Sequence, residues 1–152
     1  MTNRLVMASA TSGLLGGIVS AVIGGWDLAL ETLAIVMALD YLTGLIVAGV
    51  FHRSPKSDGG ALSSKAAFAG LCKKALILIF VVAFHQADRL TGKTFFRDGC
   101  CTAFFIAEFI SVTENIGLVM PLPAFVSKAL DWFREKGEKL GDGELKKEDT
   151  HE

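Results

Sequence analysis

The side chains best placed for chemistry are Glu108, Ser111, Glu114 and Asn115, set in the otherwise apolar stretch Cys100 to Met120. At helical spacing these four fall within roughly a third of the wheel, while Phe105, Ile106, Phe109, Val112 and Ile116 occupy the rest. Another acid, Asp40, interrupts the apolar run Leu33 to Phe51 and shares a helix face with Thr43, Gly44 and Val47. Carboxylates with hydroxyl and amide neighbours can hold protons, pair with cations or line water. They do not by themselves define a catalytic site. The chain has no Gly-rich phosphate loop, no zinc-binding His pair and no Ser–His–Asp set, so neither an enzyme nor a bound cofactor is expected. Cys72, Cys100 and Cys101 lack metal-ligand spacing. There is no basic arm interleaved with aromatics, which argues against nucleic acid as a partner.

What must surround these acids follows from the rest of the chain. Of its 152 residues 51% are hydrophobic, and mean hydropathy is +0.47. The clustering matters more. Leu5 to Trp26 carries no charge, Leu33 to Phe51 only Asp40, Ala75 to Phe84 none, and Cys100 to Met120 only its glutamates. Stretches of about 20 apolar residues are long enough to cross a bilayer. The pattern predicts an all-α integral membrane protein rather than a soluble helical bundle. A carboxylate at the bilayer centre costs about 2.5–3.5 kcal/mol on insertion scales. Asp40, Glu108 and Glu114 should therefore face another helix or water, not lipid.

In chain order, residues 1–123 read as the transmembrane domain. The first apolar stretch could be a signal peptide, with Arg4 ahead of it and Gly24-Gly25 at the cut. Its small residues argue for a packed helix instead. Ser9, Gly13, Gly17, Ala21 and Gly25 recur every fourth position beside a second row, Ser12, Gly16, Ser20 and Gly24. Such rows let helix backbones approach closely in a membrane. Trp26, Asp27 and Glu31 make a short acidic connection to a second span ending at Phe51. His52 to Lys65 is a turn-rich loop, with Ser63 or Ser64 able to cap the next helix. That helix runs from Lys65 to about Leu90, with Lys73 and Lys74 near one end and His85, Gln86 and Asp88 near the other. A polar loop from Thr91 to Gly99 leads into the Cys100 span, which Pro121 and Pro123 close. Residues 124–140 resemble an amphipathic helix lying on the membrane surface. The charged tail, 141–152, reads as disordered.

Four spans with both termini in the cytoplasm fit the Lys and Arg distribution best, or three if the first stretch is cleaved or does not cross. Counting inward from cytoplasmic ends taken at residues 69 and 121, Lys74 lies ~8 Å deep and Glu114 ~10 Å deep. Opposite charges at similar depth should pair, which makes Lys73 or Lys74 the expected partner of Glu114. Asp40 and Glu108 come out ~16 and ~20 Å deep, with no basic residue expected beside them.

Several motifs occur in a recognisable order: Asp40-Tyr41-Leu42-Thr43-Gly44; Ser63-Ser64-Lys65 with Gly70 and Lys73-Lys74; and Glu108-Phe109-Ile110-Ser111-Val112-Thr113-Glu114-Asn115 followed by prolines. Over residues 28–130 the chain resembles the phage holins of the type that includes the clostridial toxin-secretion holins. The resemblance implies a protein of the bacterial cytoplasmic membrane that homo-oligomerises and opens lesions. These would release an endolysin and lyse the host, or in some relatives export a toxin. An antiholin is a related alternative that would co-assemble with a holin without opening. A small proton-coupled transporter is the rival from another class, since it too would hide carboxylates in the bilayer.

Overall fold

A computed structural model describes residues 16–17 and 19–148, with side chains up to Lys136. Four long α-helices follow one another: α1 (Leu28–Gly49), α2 (Ser64–Thr91), α3 (Phe95–Gly117) and α4 (Ala124–Glu148). A short 3-10 turn, Asp58–Gly60, lies in the loop between α1 and α2. The described residues contain no strand.

α1 and α2 start where the sequence supplies a cap. Asp27 precedes α1, and its carboxylate accepts from Leu30 N–H at 3.0 Å. Ser63 precedes α2, and its hydroxyl accepts from Ala66 N–H. The α2–α3 connection is much tighter than the expected 91–99 loop. Gly92 adopts a left-handed φ of +66° and ends α2, and α3 has begun by Phe95. Thr94 makes no capping bond with its side chain. Asp88, a full turn back in α2, takes over that role and accepts from Phe96 N–H and Arg97 N–H, both at 2.9 Å. The free amides at a helix start need such an acceptor, and a buried carboxylate from the preceding helix lets the chain reverse in a short turn.

The helices run up, down and up. α3 packs extensively against α1 and α2, which themselves touch sparingly. Arg97 at the start of α3 bonds Asp27 at the start of α1, and Arg53 beyond the end of α1 donates to Leu118 O beyond the end of α3. These ties show α1 and α3 to be parallel, with α2 antiparallel to both. The apolar core lies toward the Asp27 end, where Leu30, Leu33, Val36 and Met37 of α1 meet Ile77 and Val81 of α2 and Cys100 and Cys101 of α3. Both Cys100 and Cys101 are buried free thiols, in keeping with a packing role.

Outside this core the polarity is inverted. Leu76 and Ile79 are 57% and 60% exposed, and Ile35, Leu39, Leu42, Ile46 and Phe109 also face outward. Lys74 and Glu108, by contrast, are 8% and 4% exposed. Among the described residues α1 and α2 are long and apolar enough to cross a membrane, and most of each apolar window faces out of the bundle. A soluble protein would bury those faces. In lipid they need no cover, whereas polar groups do.

One expectation about the ends changes. α4 continues to Glu148, past Leu140 and through most of the segment read as disordered. Leu145, Lys146, Lys147 and Glu148 are all good helix formers. Of the small-residue rows, Ser9 and Gly13 lie outside the described residues. Gly17 and Ala21 are helical and exposed, and Gly25 sits in the break before α1 at φ +95°. Among the described residues, apart from each glycine's own stretch of backbone, nothing lies within 4 Å of where a Cβ would stand on Gly16, Gly17 or Gly25. Gly24 is different: a Cβ there would come within 2.5 Å of the His85 ring. His85 is thus a packed, half-buried histidine rather than the solvated one its place near a helix end suggests.

Candidate functional site

The polar residues singled out from the sequence converge midway along the bundle. Asp40 comes from α1, Lys74 from α2, and Glu108, Ser111 and Asn115 from α3. Lys74 Nζ donates to Asp40 Oδ2 at 2.7 Å and to Glu108 Oε2. Asn115 Nδ2 donates to Asp40 Oδ1 and to Thr43 Oγ1, both at 3.1 Å. Thr43 Oγ1 donates in turn to the Asp40 carbonyl one turn back. Ser111 stands beside the Asp40 carboxylate. One ammonium therefore joins all three helices through two carboxylates. Gly44 and Gly70 border this layer: a Cβ on Gly44 would sit 3.7 Å from Asn115 Nδ2, and one on Gly70 3.7 Å from the Tyr41 ring, both ordinary packing distances.

This arrangement overturns the expected pairing with Glu114. Lys73 is exposed. Lys74 points to Asp40 and Glu108, and Glu114 bonds Arg134 of α4 at 2.6 Å. The reason is the reference point, because the cytoplasmic end taken at residue 69 lies inside α2. The helix begins at Ser64, so Lys74 lies about 15 Å along it at 1.5 Å per residue. That is the depth expected for Asp40, not for Glu114. Asp40 and Glu108 are accordingly not unpaired carboxylates. Opposite charges held at hydrogen-bond distance in a buried setting offset much of each other's desolvation cost, which neither could bear alone.

A second polar cluster, missed from the sequence, closes the other end. Arg97, 6% exposed, donates to Asp27 Oδ2 at 2.5 Å, Asp27 Oδ1 at 3.1 Å and Gly25 O at 3.0 Å. The guanidinium holds the Asp27 carboxyl below the usual carboxylate range. The signal available in the sequence was Arg97 adjoining an apolar span, but nothing local names its partner. Glu114 and Arg134 form a third, more exposed tie, between α3 and α4.

Two hollows border the central cluster. A crevice of about 70 Å³ runs from the α1–α2 loop down to Asp40, Lys74 and Asn115, with Ser54, Lys56 and Ser63 along its upper wall. A broader groove separates α4 from the same end of the bundle and is bordered by Glu114, Leu118, Leu122 and Arg134. Among the described residues no group of three or more His, Cys, Asp or Glu is arranged to hold a metal ion.

Fold and cluster together define an all-helical protein with polar groups inside and apolar groups outside, the polarity of a membrane-embedded bundle. The chain belongs to the bacteriophage holin family, which it matches over residues 17–135. It is similar to an uncharacterised protein of Clostridium perfringens (strain 13 / Type A), 34% identical over 80% of this chain and 87% of that protein. It is also similar to an uncharacterised protein of Listeria innocua, 32% identical over 86% of this chain and 87% of that one. No solved structure matches it.

Proposed function

We propose that the protein is a holin in the working sense: it accumulates in the bacterial cytoplasmic membrane, oligomerises and opens lesions. Those lesions release an endolysin, leading to host lysis. Export of a toxin is the variant that the resemblance to clostridial holins suggests. The observation that carries the reading is Lys74, a buried cation joining three helices whose outer faces are apolar. Such a bundle is closed and stable in lipid, yet holds within it the polar groups a water-filled lesion would need. In this reading Asp40, Thr43, Glu108, Ser111, Glu114 and Asn115 line the opening once copies associate and the bundle loosens. The first apolar stretch supplies a fourth span, both termini lie in the cytoplasm, and the smooth Gly17 and Ala21 face meets a neighbouring helix.

Inducible expression in bacteria tests this. A holin arrests growth abruptly and collapses the membrane potential after a delay, and co-expressed endolysin then reaches the wall. Steady growth with an intact potential at high protein level would rule out lesion formation and leave a transporter. An antiholin would instead delay lysis by a co-expressed holin.

A further inference from the structure

We infer that the Asp40–Lys74–Glu108 cluster is a one-proton lock that exchanges its proton with water on the loop side only. The inference rests on the membrane-embedded reading of the bundle, and its readouts do not require a lesion to form.

The charge count is the first support. Two carboxylates share one ammonium, and all three side chains are at most 12% exposed. With every group ionised the cluster carries one uncompensated negative charge in a low-dielectric layer. Desolvation and like-charge repulsion both act against that state. The charged groups facing it are few. Lys56 stands at the exposed mouth of the crevice, where water solvates it, and Glu114 is engaged with Arg134. Neither supplies a second buried cation. One added proton makes the cluster neutral.

The hydrogen bonds indicate where that proton sits. Both Asp40 oxygens accept from nitrogen donors, Oδ1 from Asn115 and Oδ2 from Lys74. Two such donors favour the ionised form. Glu108 takes one bond from Lys74 and is the more buried acid. Glu108 is thus the protonated member, and Asp40 with Lys74 forms the ion pair.

Access is one-sided. The crevice reaches Asp40 and Lys74 from the loop, and its volume exceeds the roughly 10–15 Å³ that a cavity needs on this measure to hold a water molecule. Glu108 does not line it. On the other side Leu33, Met37, Ile77 and Val81 pack without polar atoms, and the groove at the Asp27 end touches none of the three charged residues. A proton reaches Glu108 through Lys74: the ammonium gives a proton to the Glu108 carboxylate and regains one from a crevice water, whose own is replaced from the bulk. The reverse sequence returns Glu108 to a carboxylate and the cluster to its net negative charge. That state draws in water and favours separation of α1, α2 and α3.

Infrared difference spectra of the full chain in lipid vesicles test the proton, and thiol labelling tests the path. A protonated-carboxyl band that titrates with pH is expected in the wild type and in Glu114→Gln. It should be lost in Glu108→Gln. It should also be lost in Asp40→Asn, where one carboxylate and one ammonium balance without a proton. No such band at any pH, or its survival in either of the latter variants, overturns the lock. For access, Ala67→Cys in the crevice wall should react with a membrane-impermeant maleimide, above wild-type background, only from the face that labels Lys56→Cys. Labelling from the opposite face, or from neither, overturns the one-sided path.

Discussion

Arg97 at the start of α3 grips both carboxylate oxygens of Asp27, the residue that caps α1, at 2.5 and 3.1 Å. One side chain thereby fixes the register of two parallel helices and satisfies the Gly25 carbonyl in the break before α1. Because the bond lowers the Asp27 pKa in the folded protein, its contribution has a definite pH dependence. It is fully present above the unfolded value of about 3.9 and is lost as pH falls through the folded one. Asp27→Asn should cost on the order of 1 kcal/mol near neutrality, since Asp27 is nearly half exposed and water screens the pair. The Tm gap between wild type and Asp27→Asn should narrow below about pH 4. A gap that stays constant down to acid would show that the charge of Asp27 does not matter.

Lys74 should be the most sensitive position in the bundle. Lys74→Met leaves the buried Asp40 and Glu108 side chains without their cation and should destabilise by about 3–5 kcal/mol. Lys73→Met, at an exposed site, should stay within about 0.5 kcal/mol. Adding Asp40→Asn and Glu108→Gln to Lys74→Met should recover most of the loss, because the uncompensated charges are then gone. Thermal unfolding in detergent or lipid reads all of these. Equal effects at Lys73 and Lys74 would contradict the pairing.

Capping of α3 from α2 predicts an inverted pattern of sensitivity. Asp88→Ala removes the acceptor for two helix-start amides and should cost about 1–2 kcal/mol. Thr94→Ala, at the nominal cap position, should change stability little, since that side chain makes no capping bond. Hydrogen exchange at Phe96 and Arg97 amides should speed up in Asp88→Ala and not in Thr94→Ala.

The open faces at Gly16 and Gly17 give a prediction about assembly. Nothing in the described chain lies within 4 Å of a Cβ there, so Gly17→Leu should leave the folded monomer's Tm unchanged. If this row packs against another copy, crosslinked oligomer yield should fall and lysis timing should shift. Unchanged assembly in both Gly13→Leu and Gly17→Leu would remove the row from the interface.

Much was determined by the sequence alone. The apolar runs, with Ser63 able to cap the second, mark α1 and α2. The stripe of Glu108, Ser111, Glu114 and Asn115 faces inward or toward α4 as its spacing demands, because a helix repeats every 3.6 residues whatever surrounds it. The motif order pointed to the family that the comparison with known proteins then established. What only the tertiary structure decided was who meets whom. Depth counted from a cytoplasmic end presumed at residue 69 sent Lys74 to Glu114, but that point lies inside α2, which begins at Ser64 and carries Lys74 to Asp40 and Glu108. Asp27 and Arg97 looked like ordinary connection residues and Asp88 like a polar residue near the end of its helix, yet they tie three helix ends together. Those pairings depend on α1 and α3 being parallel with α2 between them in the chain, and no local pattern encodes the height at which separate helices come to rest beside one another.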